Sequence, residues 1–388
     1  MRLLPFEYAV RNLTRSKLRL SMSLGGSAIV VLLVVSACAF VRGMEQSLMR
    51  SGSPHNVILL GAGSEESVER SEVGASVPGQ VAASIPGIRS KLGVPFVSPE
   101  AHMALTLATA PDGPSDAQAV FRGVTSSAFL VHPQVRITAG RVFAPGRDEV
   151  IIGALAATRL GLPEQDLAVG RRIWVDGREW QIVGRFEAPS TVMDAEIWCP
   201  LTSLQILTRR DSLSCVVLTL GDAEFPDVET FAMSRLDLEL SALREDDYYG
   251  KLVAFYRPIR LMVWVTALLI ATGGVLGGLN TMYAAFGARA REVGMLQALG
   301  FSRWSVVVSF LQESVLVASA GSLAGVGLAL GILDGVAVRV SMGAFGLSVD
   351  GLTVAVGIIS GVVLGAVGAL PPALRCLRLP VTEALKSV

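Results

Sequence analysis

Four uncharged apolar runs, at residues 20–41, 261–288, 314–333 and 351–374, constrain this chain more than anything else in it. A helix needs about 20 residues to cross the roughly 30 Å hydrocarbon layer, and each run is long enough. The third is extended toward its start by residues 304–312, with Glu313 as the one charge inside it. The composition, 51% hydrophobic and 17% charged, agrees with a membrane protein. Arg2, Arg11, Arg15, Lys17 and Arg19 precede the first run, Arg289, Arg291 and Arg303 lie between the second and third, and Arg375, Arg378 and Lys386 follow the fourth. By the positive-inside rule this places both termini and the central basic segment in the cytoplasm, and the segments between runs one and two and between three and four outside.

Charge and motif arithmetic narrow the function classes. Lys plus Arg (33) balance Asp plus Glu (33), so no basic excess points to nucleic acid. The four cysteines form no C-x-x-C pair and the three histidines are isolated in sequence, so neither a metal site nor a Cys/His dyad is expected. Ser98, His132 and Asp148 are separate and lie in no catalytic motif; no catalytic residue is assigned. Cys199 and Cys215 both fall in the long external segment, where a disulfide is chemically permitted but spacing alone does not establish one.

The stretch from residue 289 to 331 organises the rest. Residues 289–299 are good helix formers, with Val293, Leu296 and Leu299 on or near one face and Arg289, Arg291, Glu292 and Gln297 around the remainder. Gly300 follows where a left-handed C-terminal residue is favoured, Phe301 can fold back over the last turn, and Ser302 is placed to cap the next helix. A ten-residue amphipathic helix pinned between two spans lies in the headgroup layer or against a soluble partner. The pattern R-x-R-E-V-G-M-L-x-A-L-G, followed by an apolar helix with an early Glu, resembles the FtsX-like permeases of ABC transporters, the group that includes the MacB and LolC/LolE proteins. In that family the segment is the coupling helix that rests on a partner ATPase, which assigns ATPase contact to Arg289, Arg291, Glu292, Val293, Leu296, Leu299 and Gly300. Glu313 is read structurally: a charge there is costly at the bilayer centre, and it is expected to snorkel or to pair with Arg303 or a basic residue of the first helix.

Taken in order, residues 1–19 read as a cytoplasmic amphipathic helix leading into a first span at 20–41. Val35-Ser36-Ala37-Cys38 mimics a lipoprotein cleavage site, but the long basic segment ahead of the run and the family resemblance favour a retained span. Residues 42–258 form a mixed α/β extracytoplasmic domain with stalk helices at both ends. Strands are expected at 55–60 and 117–124, a hairpin turning at Asp176-Gly177, and a strand (149–153) followed by a helix. Ser98-Pro99-Glu100, Arg122-Gly123-Val124, Gly140-Arg141 and Ile182 to Phe186 resemble the MacB periplasmic domain as fold signatures, and the resemblance implies two subdomains, residues 120–190 being inserted between strands from the two ends. Tyr248, Leu252, Phe255, Ile259, Met262 and Thr266 recur at helical steps and predict one long stalk helix from 247 to 285, with Pro258 as the objection. The stalk's face of Tyr248, Leu252, Phe255 and Ile259 is expected against the outward extension of the first span (residues 42–50) and a second copy of the chain. Spans follow at 259–286, 304–335 and 351–374, separated by the coupling helix (287–303) and an external loop (336–350), and a cytoplasmic tail occupies 375–388. The tail's P-x-E-A-L-like ending also resembles the family. Glycines at four-residue spacing, Gly273/Gly277, Gly274/Gly278, Gly321/Gly325, Gly327/Gly331/Gly335 and Gly357/Gly361/Gly365, permit close helix approach, within the chain or, at Gly273 and Gly277, between two copies of it.

The expected protein is therefore an α-helical membrane protein with four transmembrane helices and a large MacB-like α/β domain in a bacterial inner membrane. No G-x-x-x-x-G-K-[ST] loop occurs in the sequence, so no cofactor is bound directly and ATP and Mg are expected through a partner ATPase. The resemblance implies a second permease copy, membrane lipids, and a membrane-fusion protein or lipoprotein carrier as further partners, and mechanotransmission as the mechanism of export or extraction. The alternative is an FtsX-like regulator of cell-wall hydrolases.

Overall fold

The computed structural model describes residues 6–111, 113, 117–340 and 343–375. The start of the amphipathic segment (residues 1–5) and all of the tail after Arg375, with Arg378, Lys386 and the P-x-E-A-L-like ending, lie outside the described residues.

The chain opens with helices α1 (Phe6–Thr14) and α2 (Lys17–Ser51). There follow β1 (Asn56–Gly61), α3 (Val77–Ser84), β2 (Ser90–Lys91), β3 (Val94–Pro95), β4 (Val97–Ala108), β5 (Ala117–Val124), α4 (Ala128–Val131), β6 (Arg136–Gly140), β7 (Glu149–Gly153) and α5 (Ala156–Leu160). Next come β8 (Arg172–Val175), β9 (Arg178–Glu187), β10 (Ile197–Pro200), α6 (Leu201–Thr208), β11 (Cys215–Thr219), α7 (Phe225–Ser234), β12 (Leu240–Arg244) and α8 (Glu245–Phe255). The chain continues through α9 (Arg257–Ala288), α10 (Ala290–Ala298), α11 (Arg303–Ile332), β13 (Ala337–Val340), β14 (Gly343–Gly346) and α12 (Gly351–Arg375). They form two compact units: a helical one from described residues 6–42, 258–336 and 347–375, and an α/β one from residues 43–257 with 337–346.

In the α/β unit the strands run in the order β12-β1-β11-β4-β5-β10-β7-β9-β6, with β8 bracing β4 and β9. The 12-residue β4 carries the organisation: Val97 to Glu100 pair with β11, and Ala101 to Leu107 pair with β5. Strands from the two ends of the segment (β1, β11, β12) thus lie on one side of β4 and the inserted strands on the other. The two halves are not separate in packing, since one core runs from Leu59 and Leu218 through Phe121 to Trp180 and Ile182. Strand alternation fills both faces of the inserted half. Val150 and Ile152 of β7 enter that core, while Ile151 points to a second cluster with Trp198, Phe186 and Met193. This explains why EVIIG reads as a continuous apolar run. Gly140, at φ +73°, pairs with Gly184, and a Cβ at either would strike the opposing backbone. The hairpin β13–β14, placed by sequence in the loop after the third apolar run, packs against α5 and the turn Val192–Ala195. Cys199 and Cys215 are buried free thiols on different strands and are not joined.

Among the described residues four helices, α2, α9, α11 and α12, are long and apolar enough to cross a membrane. Small residues bring three of them together: a Cβ on Gly321 would lie 2.6 Å from Ser27 Cβ, one on Gly325 2.6 Å from the Ala28 carbonyl, and one on Gly365 2.6 Å from Ala318 Cβ. Gly273, Gly277, Gly327 and Gly331 meet nothing within 4 Å. The fourth helix, α9, buries only Ala267, Ala285 and Phe286.

Two sequence expectations change. The single stalk helix from 247 to 285 is two helices: α8 closes at Phe255, Tyr256 leaves helical geometry (φ −82°, ψ 5°), and α9 restarts at Arg257 with Pro258 second. Proline lacks the N–H for a bond to the preceding turn and fits a helix's first turn instead. At the N-terminus, the amphipathic helix ends at Thr14 and the helix of the first span begins at Lys17, three residues before its apolar run.

Candidate functional site

The coupling segment is built from a stop and a start. Gly300, at φ +90°, donates to the Gln297 carbonyl and the Phe301 N–H to that of Leu296, closing α10. Ser302 Oγ then accepts the Ser305 N–H at 3.2 Å, opening α11. Val293 is buried with Phe286, Val306, Val307, Phe310 and Ala373, and Leu296 and Phe301 pack against that cluster. The opposite side presents Arg291, Met295 and Leu299, the last 76% exposed. Leu296 and Leu299, expected near one face, are thereby separated: Leu296 holds the helix down and Leu299 points away.

A buried ion cluster fastens the same helix. Glu313 accepts from Arg289 Nη1 at 2.7 Å and Nη2 at 3.1 Å, and from Arg19 Nη2 at 2.9 Å. Arg289 Nη2 also reaches the Asn12 carbonyl at 3.4 Å, and Arg15 pairs with Glu292. Glu313 and Arg289 are both buried. A bidentate arginine–carboxylate pair is strong and directional, and in a low-dielectric setting neither charge is stable without the other. α10 is thus joined to α1, α2 and α11 by charge and by packing. Of the partners expected for Glu313, a basic residue of the N-terminal segment, Arg19, is found on it together with Arg289. Arg289 and Val293 are turned inward, leaving Arg291, Leu299 and Gly300 as the exposed members of the predicted coupling set.

The predicted stalk face does not form one stripe. Tyr248 is buried in the α/β unit, where its hydroxyl accepts the Val68 N–H at 3.4 Å; Leu252 is half-buried; Phe255 is 77% exposed; and Ile259 lies beyond the break. Gly273 and Gly277 remain open on α9.

Sequence reasoning missed a second cluster in the α/β unit. Arg122, on β5, donates to Glu100 Oε2 at 2.9 Å and, through Nε and Nη2, to both oxygens of Glu196 at 2.7 and 2.8 Å. Ser98 Oγ (2.9 Å) and His132 Nε2 (2.8 Å) meet Glu100 Oε1, His102 Nε2 lies 3.2 Å from Oε2, and Asn56 Nδ2 donates to Glu245 at 2.9 Å. Burial opposes the charge on Glu100, yet His132 and Arg122 hold its carboxyl well below the usual range; Arg122 acts likewise on Glu196. Burial also opposes the charge on His132, but Glu100, with Glu245, raises it above the ordinary histidine value, whereas burial and Arg122 lower His102. The signal was present in the sequence as polar residues at every second position of a buried strand, Ser98, Glu100 and His102, and as a charge inside AQAVFRGV. Ser98 and His132 do meet, but only through Glu100 and fully buried, while Asp148 pairs with Arg178 at 2.8 Å. The donor atoms of Glu100, His102 and Cys215 lie within 4.8 Å of one another, a spacing a metal ion could use. The Arg122 guanidinium already stands on Glu100, and burial holds the Cys215 thiol well above its ordinary pKa, so these donors suit an ion-pair cluster better.

Four membrane-length helices, a basic-flanked amphipathic helix locked between two of them, and a large α/β domain between the first and second define a multi-pass membrane permease. The model of the MacB-like periplasmic core domain matches residues 20–229, and that of the FtsX-like permease C-terminal region matches 264–381. The chain belongs to the MacB/FtsX-like family of ABC transporter permeases. It is 22% identical to the ABC transporter permease YknZ of Bacillus subtilis, over 97% of each chain. It is 24% identical to the macrolide export ATP-binding/permease protein MacB 1/2 of Paracoccus denitrificans, over 97% of this chain but only 58% of that protein. The periplasmic region of MacB from Actinobacillus actinomycetemcomitans is similar at 11% identity and a TM-score of 0.39, over 53% of this chain and 95% of that one.

Proposed function

We propose that this chain is the membrane subunit of an ABC export or extraction system, working as two permease copies with two ATPase chains in a bacterial inner membrane, both termini cytoplasmic. The observation that carries the reading is the fastening of α10: one side is locked to α1, α2 and α11 through Glu313 and the Val293 cluster, while Arg291, Met295 and Leu299 are offered outward. A surface built that way can receive a push from a soluble partner without sliding, because yielding would expose paired buried charges. ATP and Mg are bound by the ATPase, and closure of the ATPases drives α10. Movement passes along α2, a single helix over residues 17–51, toward the α/β domain. The names of relatives, ATP-binding/permease proteins and an ABC transporter permease, support an ATPase partner. Affinity purification of the full chain from its own host, with mass spectrometry of partners and lipids, tests the reading. Recovery of an ABC ATPase whose association is lost in Leu299→Asp supports it; a complex containing a cell-wall hydrolase activator and unaffected by Leu299→Asp overturns it.

A further inference from the structure

The α/β unit contains a cavity of about 340 Å³ that the proposed coupling does not use. Its lining includes apolar side chains, Met44 and Leu48 from the end of α2, Leu252 and Tyr256 from α8 and its cap, and Val340 and Phe345 from the β13–β14 hairpin. It also includes Arg159, on α5, which is 3% exposed. Its guanidinium makes one hydrogen bond, Nη1 to the Ala195 carbonyl at 3.3 Å, and among the described residues Nη2 has no partner. An arginine does not escape burial by losing its proton in the physiological range, so a buried guanidinium with an unpartnered nitrogen and only partial compensation calls for an anion.

The neighbouring charges supply one only in part. Glu196 and Glu69 favour the charge on Arg159, but burial outweighs them, and both oxygens of Glu196 are already held by Arg122 and Trp198 Nε1. Glu66 and Glu69 line the rim but are exposed to water. Arg339, on β13, further opposes the charge on Arg159. A pocket of this size, with apolar side chains beside a few polar and charged groups, has the form of a small-ligand site.

We infer that this cavity binds an anionic amphiphile, its carboxylate or phosphate held by the Arg159 guanidinium and its apolar body lying against Met44, Leu48, Tyr256 and Phe345. Carboxylate and phosphate amphiphiles share the chemistry, and the test separates them from free anions. The site is independent of the ATPase reading, because binding is measured on the permease alone.

The full chain in lipid nanodiscs would be titrated with dansyl-undecanoic acid, with dodecyl phosphate, dodecanol and inorganic phosphate as competitors. We expect saturable binding displaced by dodecyl phosphate, and little displacement by dodecanol or inorganic phosphate. Arg159→Met should weaken binding by about tenfold or more, the share of a charged hydrogen-bonding group. The same variant should melt no lower than wild type without ligand, because it removes a buried charge that is only partly compensated, and the probe should raise the melting temperature of wild type only. Wild-type affinity in Arg159→Met, or displacement by inorganic phosphate as strong as by dodecyl phosphate, would overturn the proposal. Should Arg159→Met fold poorly, Leu252→Trp decides: it fills the cavity with Arg159 intact and should abolish binding, and retained affinity there sinks the idea.

Discussion

Arg289 grips Glu313 with two hydrogen bonds, from the residue just before α10 to a carboxylate inside α11, and Arg19 closes the cluster from the start of α2. Removing one member of a buried ion pair leaves the others uncompensated, at a cost of about 3–5 kcal/mol. Glu313→Gln should therefore lower the abundance and thermal stability of the permease in nanodiscs. Arg289→Lys should fall between it and wild type, since an ammonium cannot reproduce the bidentate fork. Full stability of Glu313→Gln with activity abolished would show that the carboxylate acts in the working cycle rather than in holding the helices.

The two leucines of α10 should behave oppositely. Leu299 is exposed, so Leu299→Asp should change stability by no more than about 0.5 kcal/mol while weakening ATPase association about tenfold or more. Leu296 packs on the Val293 cluster, and Leu296→Asp should instead cost about 1–3 kcal/mol through a carboxylate placed against apolar neighbours. Melting curves and co-purification of the two variants check this. Equal effects of both on association would return Leu296 to the contact surface.

Local chemistry explains which parts of this structure could be read from the sequence. The Gly300 stop, the Ser302 cap, the hairpin at Asp176-Gly177 and the strand–helix step after Glu149 are each set within a few residues, and all are found. What the sequence concealed depends on distant partners. Arg19 and Glu313 are 294 positions apart, and Arg122, on β5, and Glu196, just before β10, are 74 apart and meet only once those two strands pair in the sheet. Helical periodicity also outweighed Pro258, although the break at Tyr256 is what a proline there favours. Period alone could not separate Leu296 from Leu299, because the two faces of α10 differ in what lies against them rather than in hydrophobicity.

The buried cluster around Glu100 makes a prediction in pH. His132 is raised, so its contribution to stability is complete below about pH 6.5 and is lost as pH rises through its higher folded value. Glu100 and Glu196 are lowered, so theirs is present above about pH 4.5 and lost as pH falls. His102, lowered, and Glu245, raised by burial, oppose these trends. With only three histidines in the chain, imidazole spectra of histidine-labelled protein can resolve each one. His132 should titrate above His102, and the order should collapse in Glu100→Gln. The reverse order in the wild type would mean that burial, not Glu100, governs His132.

The glycines separate contacts within the chain from contacts between copies. Gly321, Gly325, Gly357, Gly361 and Gly365 face α2, α11 or α12 closely enough that a Cβ would collide, whereas a Cβ on Gly273 or Gly277 would meet nothing within 4 Å, on a helix that buries almost none of its surface in this chain; Gly277 also borders a crevice shared with α2, α11 and α12. An apolar helix with an open small-residue stripe packs well against another helix, and in lipid that packing supplies the association. If two copies associate as proposed, this face of α9 is where they are expected to meet. Gly277→Cys should be tolerated, since nothing lies within 4 Å of the added atom, and should form disulfide-linked dimers in membranes upon mild oxidation. Gly325→Leu should destabilise the monomer by about 1–3 kcal/mol through overpacking against Ala28, without changing cross-linking at Gly277 in the fraction that folds. Gly277→Cys that never cross-links, in the presence or absence of ATP and the partner ATPase, would move the dimer contact off this face of α9.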